Sequence, residues 1–140
     1  MRVTMMLADA AQVADGKIYL LGGGWSVAGP GFFTSAVAIK VEADWAEATR
    51  SYHWELLLED ADGRQVLVGE ENQPIEVRGD FTVTPNGDIP VGAPIDIPLA
   101  INFGPLPLAD GERYVWRFVV DGETYPGATA GFYTRPAPSA

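Results

Sequence analysis

Ile95-Asp96-Ile97-Pro98-Leu99-Ala100-Ile101-Asn102-Phe103 is the stretch that decides the fold class. Its apolar residues recur at every second position, which puts Ile95, Ile97, Leu99, Ile101 and Phe103 on one face of a strand. An amphipathic helix would need them three and four apart. Pro98 has no N–H to give to a ladder, so this strand is expected at a sheet edge or a bulge. Edges are where chains meet, and the segment is therefore a candidate site for pairing with a second copy.

The same alternation, punctuated by Gly, Pro and Asp-Gly pairs, recurs on both sides of it. Arg113 to Val120 places Tyr114, Trp116, Phe118 and Val120 together, and Ser51 to Glu59 does so with Tyr52, Trp54, Leu56 and Leu58. Thr34 to Glu42 sets Val37, Ile39 and Val41 against Ala36, Ala38 and Lys40. Further strands are predicted at Arg2 to Ala8, Ile18 to Leu21, Arg64 to Val68 and Ala128 to Thr134, with Ile75 to Thr84 as one strand or two joined at Gly79. The turn signal Ala14-Asp15-Gly16-Lys17 predicts that Arg2 to Ala8 and Ile18 to Leu21 pair as a hairpin, with Asp9 to Val13 unassigned between them. Asp60-Ala61-Asp62-Gly63, Pro85-Asn86-Gly87-Asp88 and Asp121-Gly122-Glu123 read as further turns, and Glu70 to Pro74 as a polar loop.

The helical signal is confined to Asp44-Trp45-Ala46-Glu47-Ala48-Thr49, where Asp44 can cap and Glu47 stands three residues on. About eight to ten strands, with turns every eight to twelve residues or so, predict an all-β chain: one antiparallel β-sandwich, immunoglobulin-like or C2-like. It is expected to span residues 1–135, with 136–140 as a flexible tail. The alternative is an eight-stranded up-and-down barrel.

At 140 residues with 47% apolar and 20% charged residues, the chain has the length and composition of a single globular domain. Nineteen acidic against nine basic residues give a net charge of -10, which opposes a phosphate backbone or an anionic membrane surface. Nucleic acid and membranes are therefore not expected as partners. The absence of cysteine removes disulfides, thiolate metal sites and cysteine nucleophiles. The apolar run Val3 to Ala8 imitates a signal peptide, but it is shorter than an h-region and Asp9 follows at once. A cytoplasmic protein is expected.

No motif assembles into catalytic machinery. Gly22-Gly23-Gly24 suggests a phosphate loop, yet a dinucleotide fingerprint would need glycine at Val27 and a P-loop would need a Gly-Lys-Ser/Thr ending. Gly23-Gly24-Trp25 matches the G-x-W triplet of lipocalins, although there it falls on the first strand. Glu59-Asp60-Ala61-Asp62-Gly63, with Asp80 or Asp88, resembles acidic calcium loops but lacks the further ligands at fixed offsets, and Asp-Gly is common at hairpin tips for backbone reasons. His53 is the one histidine and alternates with Ser51, Glu55 and Glu59, which marks a solvent-facing surface. No enzyme, cofactor or metal is expected.

Aromatic residues outside the alternating positions are the better functional candidates. Trp25, Phe32, Phe33 and Trp45 lie in or beside loops, where such anchors mark interaction surfaces. Val115 and Val119 with Arg117, and Leu57 on its strand, make second faces that are partly apolar and call for a covering layer or a partner subunit. The expected role is a non-enzymatic binding or structural module that forms a homodimer or binds a protein partner. The alternative is a small-molecule carrier with an interior cavity, as in a lipocalin.

Val3 to Ala11, followed by Gly16-Lys17-Ile18-Tyr19-Leu20-Leu21-Gly22-Gly23-Gly24-Trp25, resembles a family of small uncharacterised bacterial proteins over nearly the whole chain. That resemblance brings no activity or catalytic motif. Gly111 to Gly122 is similar to the penultimate hairpin of immunoglobulin-like sandwiches and bears on fold alone.

Overall fold

The computed structural model describes residues 1–85 and 87–139. In chain order the strands are β1 (Arg2–Ala8), β2 (Ala10–Ala14), β3 (Lys17–Leu21), β4 (Val27–Ala28) and β5 (Ser35–Ala43). A 3-10 turn at Trp45–Glu47 follows, in which the Asp44 N–H donates to Glu47 Oε1 at 2.9 Å. Then come β6 (Ser51–Asp60), β7 (Leu67–Val68), β8 (Gln73–Pro74), β9 (Glu76–Thr82), β10 (Ile95–Phe103), β11 (Arg113–Val120) and β12 (Thr129–Thr134).

Two sheets form the sandwich. One has three strands in the order β1-β5-β10, and the other has five in the order β4-β12-β11-β6-β9. Each draws on strands from both halves of the chain. Neither closes on itself, so the architecture is a sandwich and the barrel alternative is set aside. The alternation does what it predicts: Val37, Ile39 and Val41 of β5 share one core with Trp54, Leu56 and Leu58 of β6 and with Tyr114, Trp116, Phe118 and Val120 of β11. Across the sandwich, Phe103 of β10 stacks on Trp116 with ring centroids 4.7 Å apart.

Strand β10 is an edge, as Pro98 predicts, and pairs along its whole length with β5, Pro98 standing opposite Lys40. Gly79 lies inside a continuous β9 and is there for space. A Cβ at that position would come within 2.6–2.9 Å of the Trp54 indole, which lies against the β9 backbone.

Three expectations need correction. Strand β1 pairs with β5, and the N-terminal hairpin is β2–β3, made from the segment Asp9 to Val13 that sequence left unassigned. The cause is turn geometry: Asp15 and Gly16, both at positive φ, form a two-residue loop that sets Ala14 opposite Lys17 and makes the preceding five residues the partner strand. The strand expected at Arg64 to Val68 shrinks to β7, which pairs with β8 inside the expected polar loop, plus one bridge from Gln65 to Glu59. Of the turn at Pro85 to Asp88, Asn86 lies outside the described residues, as does Ala140 of the tail.

The third correction concerns the second faces of β6 and β11. Long charged side chains cover them: Arg117 Nε donates to Glu59 Oε1 at 2.9 Å, and Arg78 reaches Glu55 and Glu76 at 3.6 and 3.1 Å. In the ladder Leu57 stands opposite Arg117, Val115 opposite Glu59 and Val119 opposite Glu55, and all three are partly buried. The covering layer exists, but on the other sheet, and the chain supplies it itself.

Candidate interaction surface

The outer face of the three-stranded sheet is built of small residues. Ala36 and Ala38 of β5 and Ala100 of β10 form a shallow apolar floor, on which Ala11 and Ile18 of the hairpin pack. Small side chains let the hairpin backbone approach closely enough for one amide to fasten it. Asn102, pointing outward from β10, accepts from the Ala11 N–H at 3.0 Å and donates from Nδ2 to the Ala11 carbonyl at 2.8 Å. The side chain thus pairs with β2 as a neighbouring strand would.

Asn102→Ala leaves both groups of Ala11 unpaired in a half-buried place and is expected to loosen the hairpin by about 1–3 kcal/mol. Hydrogen exchange reads this as faster exchange of residues 10–21, with β5 and β11 unaffected. Unchanged exchange in the hairpin would mean that the alanine packing holds it without Asn102.

The hairpin covers β10 and β5 but stops short of β1, whose outward Thr4 and Met6 stay exposed. Met6, 44% exposed, and Leu20, 40% exposed, meet along this border, and the hairpin carries further exposed apolar side chains in Val13 and, on the other face of β3, in Tyr19 at 53% and Leu21 at 71%. Between β3 and β1 runs a groove of about 230 Å³, with Ala38 as floor and Met6, Thr4, Ile18 and Leu20 as walls. Through Ile18 and Lys40 it continues into a second hollow of about 260 Å³, bordered by Lys17, Asp96 and Pro98.

Lys40 bonds Glu42 at 3.1 Å and reaches Asp96 at 3.6 Å. The hydrogen bond to Glu42 holds its ammonium above the ordinary lysine pKa; partial burial opposes this and the Asp96 charge adds to it. Lys17 has no ion pair among the described residues. The groove therefore ends at one paired and one unpaired cation, in a chain of net charge -10.

The four aromatic candidates do not form one surface. Trp25 meets Phe33 and Phe132 edge-on with centroids 6.2 and 6.0 Å apart, and its Nε1 donates to Asp9 Oδ1 at 3.1 Å. Trp25 and Phe33 line a hollow of about 250 Å³ with Asp9 and Arg135, whose guanidinium donates to the Gly29 carbonyl at 2.7 Å. Trp45 lies beyond the other end of β5, half-buried, with Nε1 donating to the Ala93 carbonyl at 2.7 Å. Only Phe32 of the four is largely exposed, at 77%. An indole N–H usually finds a partner once its ring is buried, and both tryptophans use theirs to plug an end of the sandwich.

The remaining candidates are tied into local structure. His53 stands on the outer face of the five-stranded sheet, Nδ1 3.1 Å from Asp80 and Nε2 3.6 Å from Glu55. The Asp60 carboxylate accepts from the Asp62 and Arg64 N–H groups at 2.9 and 3.0 Å and so builds its own turn. Among the described residues no group of three or more His, Asp or Glu could hold a metal ion, and no helix is long and apolar enough to cross a membrane. The residues that sequence reading passed over are Met6, Tyr19, Leu20, Leu21 and Asn102. A signal was present: the unbroken apolar run Ile18-Tyr19-Leu20-Leu21 gives a hairpin strand two apolar faces, only one of which its own sheet can bury.

Residues 3–128 match the model of DUF6941, described as a family of unknown function. No curated protein and no solved structure matches the chain.

Proposed function

The chain belongs to this family of unknown function, and we propose that it is a non-enzymatic protein-binding module whose contact surface is the outer side of β1, β2 and β3. The observation that carries this reading is that exposed apolar side chains concentrate on one hairpin and the strand beside it: Leu20 and Met6 wall the groove, and Tyr19 and Leu21 stand exposed on the other face of β3, while the exposed Val27, Phe32, Leu67, Val91 and Tyr133 stand elsewhere along the chain. Contiguous exposed apolar surface with polar residues at its rim marks places where proteins meet.

A carrier of small molecules is less well supported. The groove and the hollows open on the surface, whereas ligand cavities enclose most of their ligand.

A photoreactive residue placed at Leu21 tests the proposal in the cells that make the protein. Ultraviolet light is expected to yield heavier adducts from position 21, and none from position 67, where Leu67 is also exposed. Leu20→Asp is expected to abolish them while costing no more than about 2 kcal/mol of stability, since Leu20 is 40% exposed. Equal adducts from both positions, or none from 21, would remove the surface from consideration.

A further inference from the structure

The outer layer of the molecule is one strand short. Its two strands, β2 and β3, lie over a three-stranded sheet, and the uncovered strand is β1. Backbone geometry says which edge is open. The Ala11 N–H and C=O both bond Asn102 and therefore point away from β3. In an antiparallel ladder, residues directly opposite share the same state, and the state repeats every second residue. Leu20 stands opposite Ala11 and Ile18 opposite Val13, so both residues of β3 point their N–H and C=O away from β2. The two-residue turn at Asp15-Gly16 gives the same phase, since it closes on a hydrogen-bonded Ala14–Lys17 pair.

Among the described residues, neither Ile18 nor Leu20 makes a backbone hydrogen bond outside the hairpin. Their free groups look out over the groove above β1, whose floor is apolar and whose far end carries Lys17 and Lys40, the chain's two lysines.

Resting on the reading of this side as a protein-binding surface, we propose that the free edge of β3 accepts an extended segment of a partner polypeptide as a third strand, lying in the groove over β1. Main-chain bonds to Ile18 and Leu20 supply affinity, and side chains at alternate positions settle against Met6 and Ala38 and supply selectivity. The segment is apolar at those positions and carries a carboxylate at the end beside Lys17, which has no ion pair among the described residues. A second copy fits this edge poorly: its β3 is backed by its own three-stranded sheet, which would need the space that β1 fills, and both copies carry a charge of -10.

The test is selection of a phage-displayed library of random eight-residue peptides on the intact protein, followed by hydrogen exchange with the best synthetic peptide. Enriched peptides are expected to alternate apolar residues and to hold Asp or Glu at one end. The bound peptide is expected to slow exchange of the Ile18 and Leu20 amides at least tenfold, with little change at Tyr19, already bonded within the hairpin. Leu20→Pro, which removes one outward N–H at an edge that tolerates proline, and Met6→Glu are each expected to weaken binding at least tenfold. Lys17→Glu is expected to weaken it severalfold, and Leu67→Glu to leave it unchanged.

Strand addition is overturned if no peptide binds, if the protected amides lie elsewhere, or if this edge joins two copies in solution. Should the crosslink from position 21 persist while Ile18 and Leu20 gain no protection, the surface binds through side chains, and the proposed function survives without the strand. Loss of both results removes both.

Discussion

Trp116→Ala is expected to lower the unfolding free energy by about 4 kcal/mol, within the range of roughly 3–5 for truncating a buried aromatic. Trp116 is 2% exposed near the middle of β11, and its ring stacks on Phe103 from the opposite sheet at 4.7 Å with the planes 18° apart. Truncation therefore removes a contact between the two layers as well as the buried area. Urea denaturation followed by far-ultraviolet circular dichroism checks this, and the melting temperature should fall by roughly 12–16 °C for a domain of this size. Trp116→Phe keeps the stack and is expected to cost less than half as much. A loss below 1.5 kcal/mol or so for the alanine variant would mean that the sheets are held together elsewhere.

The second large effect comes from a glycine. Gly127→Ala is expected to cost about 3 kcal/mol, the sum of two penalties. At φ +84° a side chain is strained, and a Cβ would run into the carbonyl oxygen of Val3 on β1. That obstacle is backbone, so it yields only if β1 moves away from the β12 side of the sandwich. Gly24→Ala separates the two terms: Gly24 sits at φ +91° with nothing within 4 Å of the added carbon, and should pay the conformational part alone, about 1 kcal/mol. Equal losses at the two positions by urea titration would show that β1 yields without resistance.

Both effects depend on how sequence-local features meet in space, and they mark how far the chain could be read. The alternation in Ile95 to Phe103 identified a strand, its inward face and, through Pro98, its edge position, because each follows from the chemistry of that segment. The faces of β5, β6 and β11 were legible for the same reason. The pairing of β1 was not. A hairpin with β3 and a ladder with β5 both satisfy the alternation of Arg2 to Ala8, and the choice fell to a two-residue turn that made Ala10 to Ala14 the nearer partner.

The candidate surface was still less legible. Trp25 and Trp45 look alike as loop aromatics, yet each N–H finds an acceptor, Asp9 or the Ala93 carbonyl, and each ring packs on the core from an opposite end. Asn102 occupies an unremarkable polar position in an edge strand until Ala11, 91 residues away in sequence, is placed against it.

What the sequence by itself determined is the β class, the inward faces, the edge at β10 and the exclusion of cysteine chemistry. These depend on the period of two and on single-residue properties, which act over a few residues. The tertiary structure alone decided that hairpin β2–β3 folds over the outer face of its own sheet and stops before β1. That arrangement rests on the alanine floor and on one asparagine meeting a distant backbone, and contacts of that kind have no local period to betray them.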